Sequence, residues 1–471
     1  MTAAALCPAV LLRLDSQANF RLPEKYAMLK KWLDSVFSKR KPHNKNTGER
    51  YLYPLDIEGT AAESVLKRLH RAGYQAYLVG GAVRDLLLGM EPKDFDVATD
   101  ATPEEVRKIF RRSRIIGRRF QIVHVMVGAE TIEVSTFRSG GKVRRNEHGR
   151  IMNDNAYGTL EQDALRRDFT CNALYYDCEH GEIIDRCGGL ADIRARRLVM
   201  IGNAAERYQE DPVRILRAVR LSGKLGFEVD AATAAPIAEA AVLLQREPVA
   251  RLFDELLKIL FSGHAAGCLV QLKQLGVSAD IHPILTAMLE SSGQPESHIA
   301  ADALRQTDRR LGEGKTVSVG FVLAAVLWPQ LEWRLKQNAA AHKSAAAAMN
   351  AAISDVRDSI EKGWGVPQRF AATMREIWAL QPQFAYCRGS RPFRLLAQPR
   401  FRAAYDFLLL RAAHDDSLRP LADWWTRFQH AGEDERNEMV QNAPADAQPA
   451  GKRRRRKPRK KKPSSGSAEY S

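Results

Sequence analysis

The spacing of hydrophobic positions along this chain changes once, near residue 200. Before that point, Ala76–Val79, Gln121–Val127, Thr131–Phe137 and Ala173–Tyr176 read as short strands, bounded by polar or glycine-containing segments. Thr131–Phe137 alternates apolar and polar residues, the period-two pattern of a strand with one buried face. Helical patterns lie between the strands. Thr102-Pro103-Glu104-Glu105 has the form of a capping box with proline at the first helical position. From about residue 203 the spacing is helical, in Ala231–Gln245, Arg251–Phe261, Gly267–Leu275, Thr316–Leu327 and Phe401–Ala413. Asn338–Ala352 is alanine-rich and a good helix former by propensity. The pattern predicts an α+β fold with a mixed-sheet head at 53–200, a helical neck at 201–262 and a helical body at 263–430. Residues 1–52 read as an irregular basic arm. Residues 431–471 are polar and then strongly basic, and are expected to be disordered.

Composition adds a polyanion-binding signal. Formal net charge is +16 over 471 residues, but it is unevenly placed. Lys452, Arg453, Arg454, Arg455, Arg456, Lys457, Arg459, Lys460, Lys461 and Lys462 put ten basic residues in eleven, leaving about +6 for the rest. Such a block repels itself and holds nothing apolar, so it reads as a polyanion-binding arm in preference to a plain solubility or localisation tail; RNA phosphates would attract it, and so would an anionic membrane surface. The six cysteines form no CxxC pair and read as reduced thiols of a cytoplasmic protein. The apolar run Ala3–Leu12 is interrupted by Pro8 and lacks a preceding basic region, which argues against a signal peptide. No segment reaches the length of a transmembrane helix.

Candidate chemistry concentrates in Leu78–Thr99, LVGGAVRDLLLGMEPKDFDVAT. A strand ending in Gly80-Gly81 and running into a helix lets backbone N–H groups approach a phosphate, and Arg84 adds a forked donor. Phe95–Ala98 reads as a second strand, on which Asp94 and Asp96, two residues apart, project to one side. Two carboxylates so close repel unless a cation lies between them. Oxygen ligands of this kind suit magnesium, which commonly takes one or two carboxylates plus substrate phosphates.

The stretch resembles the signature of the DNA polymerase beta-like nucleotidyltransferases, in the version found in class II tRNA nucleotidyltransferases and bacterial poly(A) polymerases. The resemblance implies that Asp94 and Asp96 hold two catalytic magnesium ions, with a nucleoside triphosphate such as ATP cradled by Gly80, Gly81 and Arg84. A third carboxylate is either Glu133, which faces away from its neighbours Ile132 and Val134, or Asp163. Asp163 opens a segment similar to the family's second signature, with Arg166-Arg167-Asp168-Phe169-Thr170 and Asn172 matching; its arginines are implied to contact the triphosphate, Arg167 first and Arg166 next.

Glu210-Asp211-Pro212-Val213-Arg214 reads locally as a helix start, with Asp211 as N-cap and Pro212 at the first helical position. It also matches the family's base-reading motif, with Arg217 and Arg220 supporting from the same side of the helix. One arginine donor beside one aspartate acceptor suits the N1/N6 edge of adenine and the N3/N4 edge of cytosine, so Asp211 and Arg214 admit ATP or CTP and do not choose between them. The segment Gly117-Arg118-Arg119-Phe120, with His124 following, resembles the poly(A) polymerase version rather than the tRNA-processing one. The expectation is a monomeric, template-independent adenylyltransferase acting on RNA 3′ ends, with the family implying a role beside the RNA-decay machinery. A CCA-adding or A-adding tRNA nucleotidyltransferase is the nearer alternative. A non-catalytic RNA-binding adaptor is the remote one.

Overall fold

The computed structural model describes residues 49–443 apart from 118–120, 140–143, 146–150, 154–155, 278, 292–297, 340, 343, 359 and 361–362. Most of the expected N-terminal arm and all of the basic run Lys452–Lys462 therefore lie outside the described residues. The chain divides into two compact units, one formed by residues up to 247 with 267–281, the other by 248–266 with 282 onward.

The first unit is built on one mixed sheet. Its strands are β1 (Glu49–Leu52), β2 (Ala76–Val79), β3 (Asp96–Thr99), β4 (Ser113–Ile116), β5 (Ile122–Val127), β6 (Glu130–Thr136), and, after the small hairpin β7 (Arg144–Arg145) and β8 (Ile151–Asn153), β9 (Leu174–Asp177) and β10 (Glu182–Asp185). Their spatial order is β1-β10-β9-β2-β3-β6-β5-β4. The β3–β6 pair is parallel and the other pairings are antiparallel. Helices α1 (Ala61–Arg71), α2 (Gly81–Leu87), α3 (Pro103–Ile109) and α4 (Leu160–Arg166) connect and cover the strands. All four residues of β2 are buried, as befits a central strand. In β6 Ile132 and Val134 are buried and Glu133 is exposed, so the alternation read from the sequence is the one the sheet uses. Tyr77, Val79, Ala98, Phe137, Leu160, Ala164, Tyr175 and Ile184 form the core beneath the acidic strand ends.

Caps fix the helix starts. The capping box between Thr102 and Glu105 is present at the head of α3, and a second, Thr159 with Gln162, starts α4. After α5 (Gly189–Ala195), β11 (Arg197–Leu198) and α6 (Ala204–Glu210) comes α7 (Arg214–Leu225), carrying arginines 214, 217 and 220 on its half-buried side. The helix starts later than its sequence suggests. Asp211 and Pro212 form a turn ahead of it, in which the Asp211 carboxylate accepts from the Val213 N–H at 3.3 Å and the Asp211 carbonyl from the Arg214 N–H at 3.1 Å. Asp211 thus caps a turn rather than the helix itself.

Several other boundaries differ from the sequence reading. β3 begins at Asp96, leaving Asp94 in the bend before it. The run Ala231–Gln245 is not one helix but three short pieces, Ala231–Ala234, Ile237–Ala240 and the 3-10 turn Ala241–Arg246. Pro236 stands at the first break, where it has no N–H to offer the ladder. The alanine-rich stretch belongs to two helices, Trp328–Ala339 and Ala345–Asp358. Ser344 accepts from the Ala347 N–H at 3.2 Å and starts the second, a local choice that alanine propensity cannot specify.

In the second unit, Phe384, Phe401, Tyr405, Trp424, Trp425 and Phe428 pack together, and the Trp425 indole N–H donates to the Phe384 carbonyl at 2.8 Å. Residues 433–441, expected to be disordered, form a helix on this core. Glu433, Asp434 and Glu435 occupy the positive helix start, Met439 and Val440 pack on the aromatic cluster, and the Arg436 guanidinium donates to the carbonyls of Phe428 and Gln429 at 2.9 and 2.8 Å. That apolar packing, with the carbonyls at the end of the preceding helix satisfied by Arg436, orders a segment whose composition is polar. Among the described residues no helix is long and apolar enough to cross a membrane.

Candidate active site

The acidic group lies where β3 and β6 run side by side. Asp96 and Glu133 are register partners in this parallel pair, so their side chains leave the sheet on the same face. Asp94 sits two residues earlier, exposed in the bend. The Asp96 carboxyl is pushed up to about 6; burial is the main cause, the Glu133 carboxylate adds to it, the Arg167 guanidinium opposes it and Asp94 adds a further push. Three carboxylates thus share one neighbourhood, and one of them resists ionisation through its own burial and the charge of the other two.

The alternative third carboxylate, Asp163, is placed differently. It is 3% exposed, and its oxygens accept from Arg166 Nε at 3.1 Å, Arg167 Nε and Nη2 at 3.2 and 3.0 Å, the Tyr175 hydroxyl at 2.7 Å and the Arg138 backbone N–H at 3.3 Å. Burial alone would raise its pKa, but the two arginines and Tyr175 outweigh that and lower it. With its oxygens engaged by its own scaffold, Asp163 braces Arg166 and Arg167. Sequence spacing does not separate Glu133 from Asp163; strand register places Glu133 beside Asp96.

The glycine turn is used for close approach. Gly80 has φ +73°, a conformation that side chains of L-residues rarely adopt, and a Cβ there would stand 3.4 Å from Arg167 Nη1. The Arg167 guanidinium therefore lies over the turn between β2 and α2. Its Nε and Nη2 are anchored by Asp163 and Tyr175, whereas Nη1 makes no hydrogen bond among the described residues. One anchored edge and one open nitrogen is a pre-organised anion donor. Arg166 lies beside it with its Nε on Asp163.

Arg84 departs from the sequence reading. It is 5% exposed, and its guanidinium donates to Asp85 Oδ1 at 2.8 and 2.6 Å and to Asn172 Oδ1 at 2.5 Å. A Cβ on Gly81 would come within 3.4 Å of Arg84 Nη2. Arg84 is thus a buried brace that joins α2 to the segment after α4, not a fork open to a phosphate. A charged side chain so deep needs its partners, and Asp85 and Asn172 are they.

The arginines of α7 are tied to this region by hydrogen bonds. Arg217 binds Asp168 Oδ2 through Nε and Nη2 at 2.9 and 2.5 Å. Burial would push the Asp168 carboxyl up, but Arg217 and donors from Asn172 and the Phe169 N–H hold it down at about 2. Arg214 Nη1 donates to the Arg207 carbonyl at 2.7 Å and to Glu210 Oε2 at 3.2 Å. Arg207 Nη2 in turn donates to the carbonyls of Arg166 and Arg167 at 2.7 and 2.5 Å. Arg220 follows Arg217 on the same half-buried side. The Asp211–Arg214 turn and the arginine pair therefore form one hydrogen-bonded assembly. Nothing in the sequence spacing marks Arg207 or Tyr175 for this assembly, whereas Asp168 stands inside the segment similar to the family's second signature.

Comparison with known proteins gives this assembly a lineage. A family model described as "Poly A polymerase head domain" matches residues 76–199. "Probable RNA and SrmB- binding site of polymerase A" matches 226–289, and "Polymerase A arginine-rich C-terminus" matches 341–461. Poly(A) polymerase I of Salmonella typhi is 42% identical over 423 residues, covering 87% of this chain and 90% of that one. A CCA-adding enzyme of Lactococcus lactis subsp. cremoris (strain MG1363) is 41% identical over 215 residues, 44% of this chain and 52% of that one. A solved structure, "tRNA-processing enzyme complex 3", shares 21% identity at a TM-score of 0.54 over 80% of this chain and 97% of that one, which is a likeness of fold. With 42% identity sustained over nine-tenths of a relative's length, the chain belongs to the poly(A) polymerase family of nucleotidyltransferases.

Proposed function

We propose that the chain is a template-independent poly(A) polymerase that transfers AMP from ATP to RNA 3′ ends with release of pyrophosphate. The observation that carries the reading is the in-register Asp96–Glu133 pair, joined by Asp94 and facing an arginine whose open nitrogen lies over Gly80. The extent of likeness favours it over CCA addition. The relative named a CCA-adding enzyme matches over 44% of this chain, whereas the one named Poly(A) polymerase I matches over 87%.

Magnesium fits the acidic group. Among the described residues no three acidic, histidine or cysteine side chains close on one point tightly enough to hold a metal ion unaided. Asp94 and Asp96 would supply two oxygen ligands, Glu133 would assist, and substrate phosphates and water would complete the shell, as is usual for magnesium. When bound, magnesium acidifies a ribose hydroxyl and neutralises charge on the leaving pyrophosphate. The side chains do the rest. Arg167 donates to the triphosphate from its open nitrogen, with Arg166 beside it. Asp163 and Tyr175 keep that guanidinium aimed, which lowers the cost of orienting the phosphate for in-line attack by the 3′-hydroxyl. Gly80 and Gly81 leave room for the chain of phosphates. Asp211 and Arg214 face the base edge, with Arg217 and Arg220 holding the helix that presents them.

RNA 3′ ends are the acceptor, and the basic run Lys452–Lys462 supplies sequence-independent phosphate attraction. Extension of diverse ends would suit a role in RNA decay. The decisive assay offers an unrelated oligoribonucleotide and each of the four nucleotides in turn, with magnesium. Long tails with ATP alone are expected. Strict dependence on tRNA, with arrest after one to three additions, would replace this reading by CCA or A addition; RNA binding without any incorporation would replace it by an adaptor.

A further inference from the structure

The acidic group is not a free-standing cluster. Along one line across the sheet, the register pairs Asp96 of β3 with Glu133 of β6, Glu133 with His124 of β5, and His124 with Arg114 of β4. Four ionisable side chains from four neighbouring strands therefore emerge in one row on one face. Within it, His124 Nε2 stands 3.3 Å from Glu133 Oε1. The ring nitrogen is shielded from water yet makes no aligned hydrogen bond among the described residues. A buried nitrogen without an aligned partner is unfavourable, and the acceptor within reach is Glu133 Oε1, on a side chain that is 52% exposed.

We infer that His124 is a positioning residue for Glu133: its Nε2–H holds the outer carboxylate oxygen, so that the other oxygen stays directed toward Asp96. This rests on the reading of Glu133 as the third carboxylate, and it goes further by naming what orients that carboxylate. An exposed glutamate has three rotatable bonds, and without an anchor it spends most of its time away from the acidic group. A histidine one strand further out fixes it through the register alone. Glu133 leaves the middle of β6 on a side chain one rotatable bond longer than that of either aspartate, so it is the member of the group for which an outer partner matters most.

The test is a double-mutant cycle on the full chain, read by the rate of AMP incorporation into an oligoribonucleotide under enzyme excess. His124→Ala is expected to lower the rate at saturating ATP about tenfold while leaving the KM for ATP within about twofold, because Glu133 does not bind the base or the outer phosphates. His124→Gln, which keeps a donor, is expected to recover most of the loss. In a Glu133→Ala background, His124→Ala should cost nothing more, since the carboxylate it orients is gone. Melting temperatures of all variants should agree within about 2 °C, which separates positioning from support of the sheet. A silent His124→Ala beside an impaired Glu133→Ala overturns the inference and leaves the third-carboxylate reading intact. Full additivity of the two losses, or a rise in KM with an unchanged maximal rate, also overturns it. A fully active Glu133→Ala overturns the third-carboxylate reading itself.

Discussion

Asp96 is the residue on which most of the proposed chemistry converges. Its burial resists ionisation, and the charges of Glu133 and Asp94 add to that resistance. Asp96→Asn is expected to lower AMP incorporation by at least about 10³-fold, on the scale of removing a principal charge-stabilising element. Far-UV circular dichroism and the melting temperature should be retained. A variant keeping a tenth of the wild-type rate would remove Asp96 from the reaction. Asp168 makes a separate prediction, about stability. Its pKa is lower in the folded chain, about 2, than in an unfolded one, so the folded state gains wherever the carboxyl is ionised in both. That contribution is complete above about pH 5, of order 2 kcal/mol, and is lost as pH falls through the range from about 4 toward 2. Urea unfolding of wild type and Asp168→Asn should therefore show a gap in stability near neutral pH that closes with acid. A gap independent of pH would mean that Asp168 acts through shape rather than charge.

At the scale of elements, the site depends on how α7 is held. Within the first unit it crosses the segment 267–281 at Gly223, where a Cβ would meet the Cys268 backbone N, Sγ and Cα at 2.7, 2.7 and 2.8 Å. Neither backbone can yield to a methyl group without moving the helix. Gly223→Ala is expected to destabilise the chain by about 1–3 kcal/mol, the usual cost of overpacking, and to lower its melting temperature by several degrees. Because α7 carries Arg214 and Arg217, the same substitution should raise the KM for ATP more than it lowers the maximal rate. A scanning calorimetry trace and a KM measurement check the two halves separately. The strand elements were legible in the sequence because period two is a direct image of one buried face, as Ile132 and Val134 show. The short helical pieces at 231–246 were not, since each is too short to establish its own period before Pro236 and its neighbours end it.

For the whole molecule, charge distribution is the property with the widest consequence. Removing residues after 451 takes away the ten clustered basic side chains and leaves the described residues untouched. The shortened chain is expected to bind single-stranded RNA more weakly at low salt. Its log–log salt slope should be shallower by about 0.7 for each phosphate that the tail no longer neutralises. Choice among the four nucleotides should not change, because the tail bears no base-reading group. Fluorescence anisotropy across a roughly sixfold range of salt concentration, centred near the physiological value, is the check; an unaltered slope would show that the tail does not engage RNA.

The candidates for ligand chemistry are written in the sequence. Asp94, Asp96, the paired glycines, Arg166-Arg167 and the Asp211–Arg214 turn are local motifs, and local motifs survive as strings because neighbouring residues supply their geometry. What each side chain was free to do was decided by tertiary structure. Burial and partners engage the Arg84 fork with Asp85 and Asn172, and engage Asp163 as the anchor of Arg167. Strand register brought Glu133 beside Asp96 from a distant part of the chain and placed His124 behind it. The physical reason is the same in each case. A sequence specifies what a side chain can donate or accept, but only the packed fold determines which of its bonds are already made.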